Sequence, residues 1–332
     1  MPKDDAGALG PRVITPDWST VIVFLLRRLG AGLVLIFVVT AATFFLTYGA
    51  NIPVARNILG PSATQDQVNL LNTQLGLDQP ILQQYWTWLT GVLTGDLGTS
   101  YFTSEPIASA LASRLPVTLS VVLVASIITL LLSTVLGIAS AARGGWLDTL
   151  LQSVATFSYI FPAIVLGIVL VYVFAIALRL VPAIGFVPFA QSPVGWFLSV
   201  ILPAVVLAIG GIASLAAQIR GSMIDELSRD YIRSLRSRGS SEASILFRHA
   251  LRNAAGPALT TFSLLFITMF GSSLFIEKIF ALPGYGTFAF TSTIQGDLPA
   301  MLGVTLFSVV LVVIVNLLVD VLQGWLNPKV RT

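Results

Sequence analysis

Few residues in this chain could do chemistry. Its 332 residues include one histidine, His249, and no cysteine. Thiol catalysis, disulfides and thiolate metal sites are thereby excluded, as is a multi-histidine metal centre. The three lysines, Lys3, Lys278 and Lys329, are followed by Asp4, Ile279 and Val330. A phosphate-cradling loop needs Gly-x-x-x-x-Gly-Lys-Ser/Thr, so that backbone amides and the lysine hold the phosphates. None of the three lysines fits, so any ATP hydrolysis tied to this chain must occur on another one. An enzymatic role has little left to work with.

The densest pattern lies at 220–253, which carries seven arginines from Arg220 to Arg252. Ile224, Leu227, Tyr231 and Leu235 are spaced 3, 4 and 4 and predict one helical stripe. Arg229, Arg233 and Arg236 fall on nearly the opposite face. Gly239 should stop that helix. Ser240 or Ser241 can cap a second helix, with Glu242 in its first turn. That helix is amphipathic too, with Leu246, Phe247, Ala250 and Leu251 opposed to Arg248 and Arg252. Asp225, Glu226, Asp230 and Glu242 offset four of the seven arginines, and no aromatic stacking platform is interleaved, which argues against nucleic acid. Two readings remain: a basic loop that only sets topology, or a protein-docking surface with Tyr231 and Leu235 as apolar contacts rimmed by arginine.

The elements that carry this loop follow from composition. Apolar residues make up 55% and charged residues only 10%, against roughly 25% charged in a soluble domain. The bilayer is therefore the expected solvent. Six charge-free runs are long enough to span it: Leu29–Ala55, Pro116–Ala142, Thr149–Leu178, Leu180–Ile219, Asn253–Ile276 and Leu298–Val319. The fourth carries Pro182, Pro188, Pro193 and Pro203, so its helix is placed near 197–218. The first run is read as a retained anchor rather than a cleaved signal peptide. With six spans, fourteen Lys and Arg residues fall on one side: Lys3, Arg12, Arg27, Arg28, Arg143, the seven of the loop, Lys329 and Arg331. Four fall on the other: Arg56, Arg114, Arg179 and Lys278. Positive loops stay cytoplasmic, so both termini are expected inside.

This predicts an all-α polytopic protein. It has a cytoplasmic segment 1–28, a first span with an outer region 29–115, a five-helix core 116–322 with the loop 220–253, and a tail 323–332. The outer region should hold short interfacial helices at Gln65–Leu75 and Tyr85–Leu93, a turn at Gly95-Asp96-Leu97-Gly98, and Trp86 and Trp88 at the interface. No ionisable residue lies near the middle of a span, which disfavours a stand-alone ion-coupled transporter. Asp320 reads as an interfacial or packing residue, and Glu277 with Lys278 as a boundary. Gly137, Gly210-Gly211 and Gly271-Ser272-Ser273 suit close helix packing or a gate. Phe157, Tyr159, Phe161 and Tyr172 are default packing residues that could line a path.

The stretch Asp230-Tyr231-Ile232-Arg233-Ser234-Leu235-Arg236-Ser237-Arg238-Gly239, followed by Arg248-His249-Ala250-Leu251-Arg252-Asn253, resembles the coupling loop of permease subunits of ABC-type dipeptide and oligopeptide importers. The resemblance runs from about Leu25 to Arg331. It includes Leu75-Gly76-Leu77-Asp78-Gln79-Pro80, Gly95-Asp96-Leu97-Gly98, Leu115-Pro116-Val117-Thr118-Leu119 opening the second span, Phe280, Pro283-Gly284-Tyr285-Gly286, Asn316, Asp320 and Asn327-Pro328. It departs from the family at Gly49-Ala50-Asn51-Ile52-Pro53, where a glycine-aspartate turn is usual. It also departs at Ser234-Leu235, usually threonine-alanine, and at Arg238, usually lysine.

The resemblance implies a type I ABC importer permease fold in a bacterial inner membrane. Half of the translocation pathway would come from this chain and half from a second, similar permease. Two cytoplasmic ATPases would carry ATP and Mg, this chain would hold no cofactor, and an external binding protein would deliver peptide. Arg229–Gly239, with Arg248 and His249, would meet an ATPase. Nickel chelates and glutathione are the related alternative substrates, although nothing here coordinates nickel.

Overall fold

The computed structural model describes residues 18–50, 52–145, 149, 153 and 163–326. Lys3, Arg12, Phe157, Tyr159, Phe161, Asn327-Pro328, Lys329, Arg331 and most of the third run's first half lie outside them. The described residues are helical, joined by loops and a lone antiparallel bridge between Thr99 and Pro106. In chain order the helices are α1 (Trp18–Gly49), α2 (Val54–Leu59), α3 (Gln65–Gln74), α4 (Ile81–Thr94) and α5 (Ile107–Arg143). α6 (Ala163–Leu170) continues as a π-helix over Val171–Ala177 and is followed by α7 (Pro193–Leu227) and α8 (Asp230–Ser237). α9 (Glu242–Ile279), with a π-turn at Ile245–Ala250, leads to α10 (Tyr285–Gln295) and α11 (Leu298–Leu326).

Five of these, α1, α5, α7, α9 and α11, are long and apolar enough to cross a membrane. α6 is the described end of the third run, its apolar part covering Ile164–Ala177. Helix ends differ from the charge-free runs because a helix does not stop where hydrocarbon does. α1 begins at Trp18, so Arg27 and Arg28 ride on it, and Arg28 Nε meets Asp320 Oδ2 of α11 at 3.0 Å. It ends at Gly49 rather than at residue 55, because Pro53 disfavours helix in the residue before it and instead precedes α2. α5 starts at Ile107, so Pro116 lies inside the helix and does not open it; prolines inside transmembrane helices are common. α7 is longer than 197–218 because Pro193 suits its first turn and Ser192 caps it, accepting from Gly195 N at 3.1 Å.

α5 and α7 make the most extensive pairing, α9 packs on α7, and α1 lies along α11. The main core joins α5, α7, α9 and α10 through Val121, Ala125, Val206, Met269, Ile276 and Phe288. A second cluster sits toward the loop end: Ile138, Leu215, Ile219, Met223, Ala250 and Ala254. Gly137 packs against the Ala216 carbonyl and Ile219, and Gly211 against Met269 and Thr129, whereas Gly210 and Gly271 face open space.

The outer region matches its sequence pattern closely. Thr64 and Gln67 form a reciprocal capping box on α3. Gly95 and Gly98 turn with φ +86° and +80°, and Asp96 Oδ1 accepts from Gly98 N at 2.8 Å. Trp88 belongs to a cluster with Phe44 and Tyr85 that seats α4 on α1, while Trp86 is exposed. Glu277 lies in the last turn of α9, at the end of that span, and is fully buried there.

Candidate functional site

The basic loop is built from the ends of two long helices. α7 does not run through to Leu235. It ends at Leu227, Arg229 is extended (φ −72°, ψ 149°), and α8 starts at Asp230. Ile224 and Leu227 therefore belong to a membrane-crossing helix and do not share a stripe with Tyr231 and Leu235. The apolar spacing persists across the break, so periodicity alone could not reveal it.

Ile232 is the fully buried anchor of α8. Tyr231 is half-buried and turned inward, its Oη donating to Glu226 Oε1 at 2.7 Å. Asn253 Nδ2 donates to the same Glu226 oxygen at 2.8 Å and to Tyr231 Oη at 3.2 Å. Arg229 Nε meets Glu226 Oε2 at 2.9 Å. One buried carboxylate at the end of α7 thus ties α8 to α9. Burial, and the Glu226 carboxylate it faces, push the Tyr231 phenol above its ordinary pKa.

The helix stop falls as expected. Gly239 has φ +79°, its N–H bonds to the Arg236 carbonyl at 3.0 Å, and Ser240 N reaches the Leu235 carbonyl at 3.1 Å. Ser241 is the cap that forms, accepting from Ser244 N at 3.3 Å. Arg236 spans the turn to Glu242 through Nε (2.8 Å) and Nη2 (3.2 Å). Arg233 lies 3.6 Å from Asp230. Ser234, Ser237 and Arg238 are exposed and Leu235 is half-buried.

In α9 the π-turn adds a residue to one turn and shifts the facing register. Ile245 and Ala250 are buried, Leu246 and Leu251 pack on the core, and Phe247 is 61% exposed beside exposed Arg248. Phe247 thus leaves the packing face that spacing assigned it, and His249 is half-buried. The outward face of the loop combines Arg229, Arg233, Arg236, Arg238 and Arg248 with the exposed ring of Phe247. Sequence reasoning named Glu226 only as a charge offsetting an arginine and Asn253 only as part of the family-like stretch, and missed that the two, 27 residues apart, brace the elbow together. Their only sequence signal was an acidic residue at the end of an apolar run.

Between α6, α7 and α9 lies a cavity of about 430 Å³, lined by Ile164, Val206, Gly210, Ser214, Thr268 and Ser272 among others. Tyr172 of the π-helix is exposed. Among the described residues no cluster of three His, Asp or Glu side chains is placed to hold a metal.

The described helices thus form a bundle of long apolar spans with an arginine-faced helical elbow at one end. Comparison with known proteins identifies the family. Residues 133–332 match the binding-protein-dependent transport system inner membrane component, and residues 21–122 match the N-terminal part of such membrane components. The chain belongs to this family. A peptide transport system permease protein of Brucella abortus is 39% identical over 308 residues, 92% of this chain and 98% of that protein. A peptide ABC transporter permease protein of Sinorhizobium fredii is 35% identical over 314 residues, 93% of this chain and 99% of that one. A glutathione transport system permease protein of Escherichia coli is 33% identical over 309 residues, 93% and 98% of the two chains. The molecule is thus a multi-pass inner-membrane permease subunit of an ABC importer, all-α and of the type I permease class. A cytoplasmic ATPase and a substrate-binding protein are its kinds of partner.

Proposed function

We propose that this chain forms half of the pathway of a peptide importer and receives its driving force through Arg229–Gly239. One ATPase subunit would dock on α8 and a second on the equivalent helix of a partner permease. ATP and Mg would reside on those ATPases, and an external binding protein would present the peptide. The observation that supports this most is the bracing of α8: a helix of 8 residues is held by buried Ile232 and by the Glu226 network to both α7 and α9 while its arginines face outward. A loop that only set topology would need the charges and not the bracing. The named relatives support peptide, and the glutathione relative supports a small γ-linked tripeptide as the second reading.

Reconstitution tests both parts. The purified chain alone should hydrolyse no ATP and should co-purify with its ATPases when expressed with them. Vesicles holding the whole assembly should accumulate a labelled tripeptide or glutathione only with ATP and binding protein. Turnover by the isolated chain, or uptake without the ATPases, would remove the reading.

A further inference from the structure

α9 has a different task at each of its ends. It begins three residues after Gly239 and runs 38 residues to Ile279, roughly 57 Å at 1.5 Å per residue. Near its far end sits the fully buried Glu277. Glu277 Oε1 accepts from Thr118 Oγ1 of α5 at 2.5 Å. Its Oε2 accepts from Thr287 N, in the first turn of α10, at 2.8 Å. Thr118 Oγ1 accepts in turn from Tyr285 N at 2.8 Å. Lys278 is not its counter-ion; that ammonium lies 4.9 Å from the centroid of the Phe290 ring. Gly284 lies so close that a Cβ there would overlap the carboxylate, which accounts for a glycine in Pro283-Gly284-Tyr285-Gly286. Tyr285 Oη donates to the Val304 carbonyl, so α10 is also tied to α11.

A short turn between two helices does not need a buried carboxylate, which is costly to desolvate and worthwhile only when fully hydrogen-bonded. Charge-assisted bonds are shorter, stronger and more directional than those of an amide or hydroxyl cap. Here they join α9, α5 and α10 at one point. A stiff element with a bonded grip at each end can carry displacement between them.

We propose that Glu277 is a positioning residue for transport, the grip by which movement of the loop at the start of α9 reaches α10 on the outer side. The proposal rests on the docking reading above for the source of the movement. It is tested on the complete assembly in lipid nanodiscs. Spin labels go on cysteines replacing Leu93 of α4 and Ile294 of α10, which are 79% and 71% exposed. Their separation is measured without nucleotide and after trapping with ATP and vanadate.

The original chain should show a shift on trapping. Glu277→Gln and Thr118→Val should keep membrane level, bound ATPase and basal hydrolysis yet lose most of the shift, and Thr118→Ser, which restores the hydroxyl, should recover it. Shifts equal to the original in both variants overturn the clamp alone. Loss of assembly in both variants overturns it in favour of a purely structural role. An original chain that binds no ATPase and shows no shift overturns the docking reading and the clamp together.

Discussion

Gly239 decides where α8 points. Its φ of +79° lies in the left-handed region, and a Cβ added there would meet nothing within 4 Å. The cost of a substitution is thus backbone strain alone, about 1 kcal/mol or more for an ordinary residue and greater for a β-branched one. Gly239→Val should therefore reach the membrane at normal level, since the spans keep their own backbone bonds in lipid, but lose ATPase association and ATP-driven uptake. Gly239→Asn, which visits the left-handed region readily, should keep most of both. The measurement is co-purification of the ATPases and uptake at matched membrane levels; full uptake by the valine variant would leave the loop as a topological anchor only. Gly239 was legible because a helix stop is a local signal. Glu226 and Glu277 were not, because their partners Asn253, Thr118 and Thr287 come from other helices and no spacing connects them.

At the scale of elements, what a sequence announces depends on who sets the boundary. α3 and α4 have local signals, a capping box and a left-handed glycine at Gly95, and both were placed within a few residues. α1 and α5 overrun their charge-free runs because arginines near the ends of a span can ride on the helix and reach the interface or a partner such as Asp320. The π-turn at 245–250 has no residue signature, so Phe247 was assigned to the wrong face. α4 also yields a prediction. It is held to α1 through fully buried Phe44, which stacks on Tyr48 at 4.3 Å and meets Tyr85 edge-on at 5.2 Å. Phe44→Ala should cost about 3 kcal/mol and let α3 and α4 lift from the bundle. The expected signs are a lower melting temperature in detergent and faster proteolysis between α3 and α4. An unchanged digest would mean that the membrane surface, not this cluster, holds the outer region.

For the whole molecule, the decisive quantity is which end faces the cytoplasm. Fourteen of the eighteen Lys and Arg residues were assigned to one side by the six-span reading. The folded chain gathers the described members of that set, Arg28, Arg143 and the loop arginines, at the end where α1 begins and where α5 and α7 finish. The Arg28–Asp320 pair is half exposed on the arginine side, so it adds little stability; its information is positional, since it places the only acid of α11 at the same end. The opposite end holds α2 to α4, the Glu105–Arg114 pair and Lys278. Because the chain has no cysteine, single thiols report the orientation cleanly. Ser104 and Ser237 are both exposed, one beside the start of α5 and the other at the end of α8. With the chain expressed without its ATPases, so that α8 is uncovered, a cysteine at position 104 should react with a membrane-impermeant maleimide added to intact cells. A cysteine at position 237 should react only after permeabilisation. The arginines would resist the reverse arrangement, since moving seven of them outward opposes the bias that sets orientation during insertion. Labelling of position 237 from outside would invert the topology, put the arginine-faced elbow out of reach of any cytoplasmic ATPase, and leave α8 with no route to ATP.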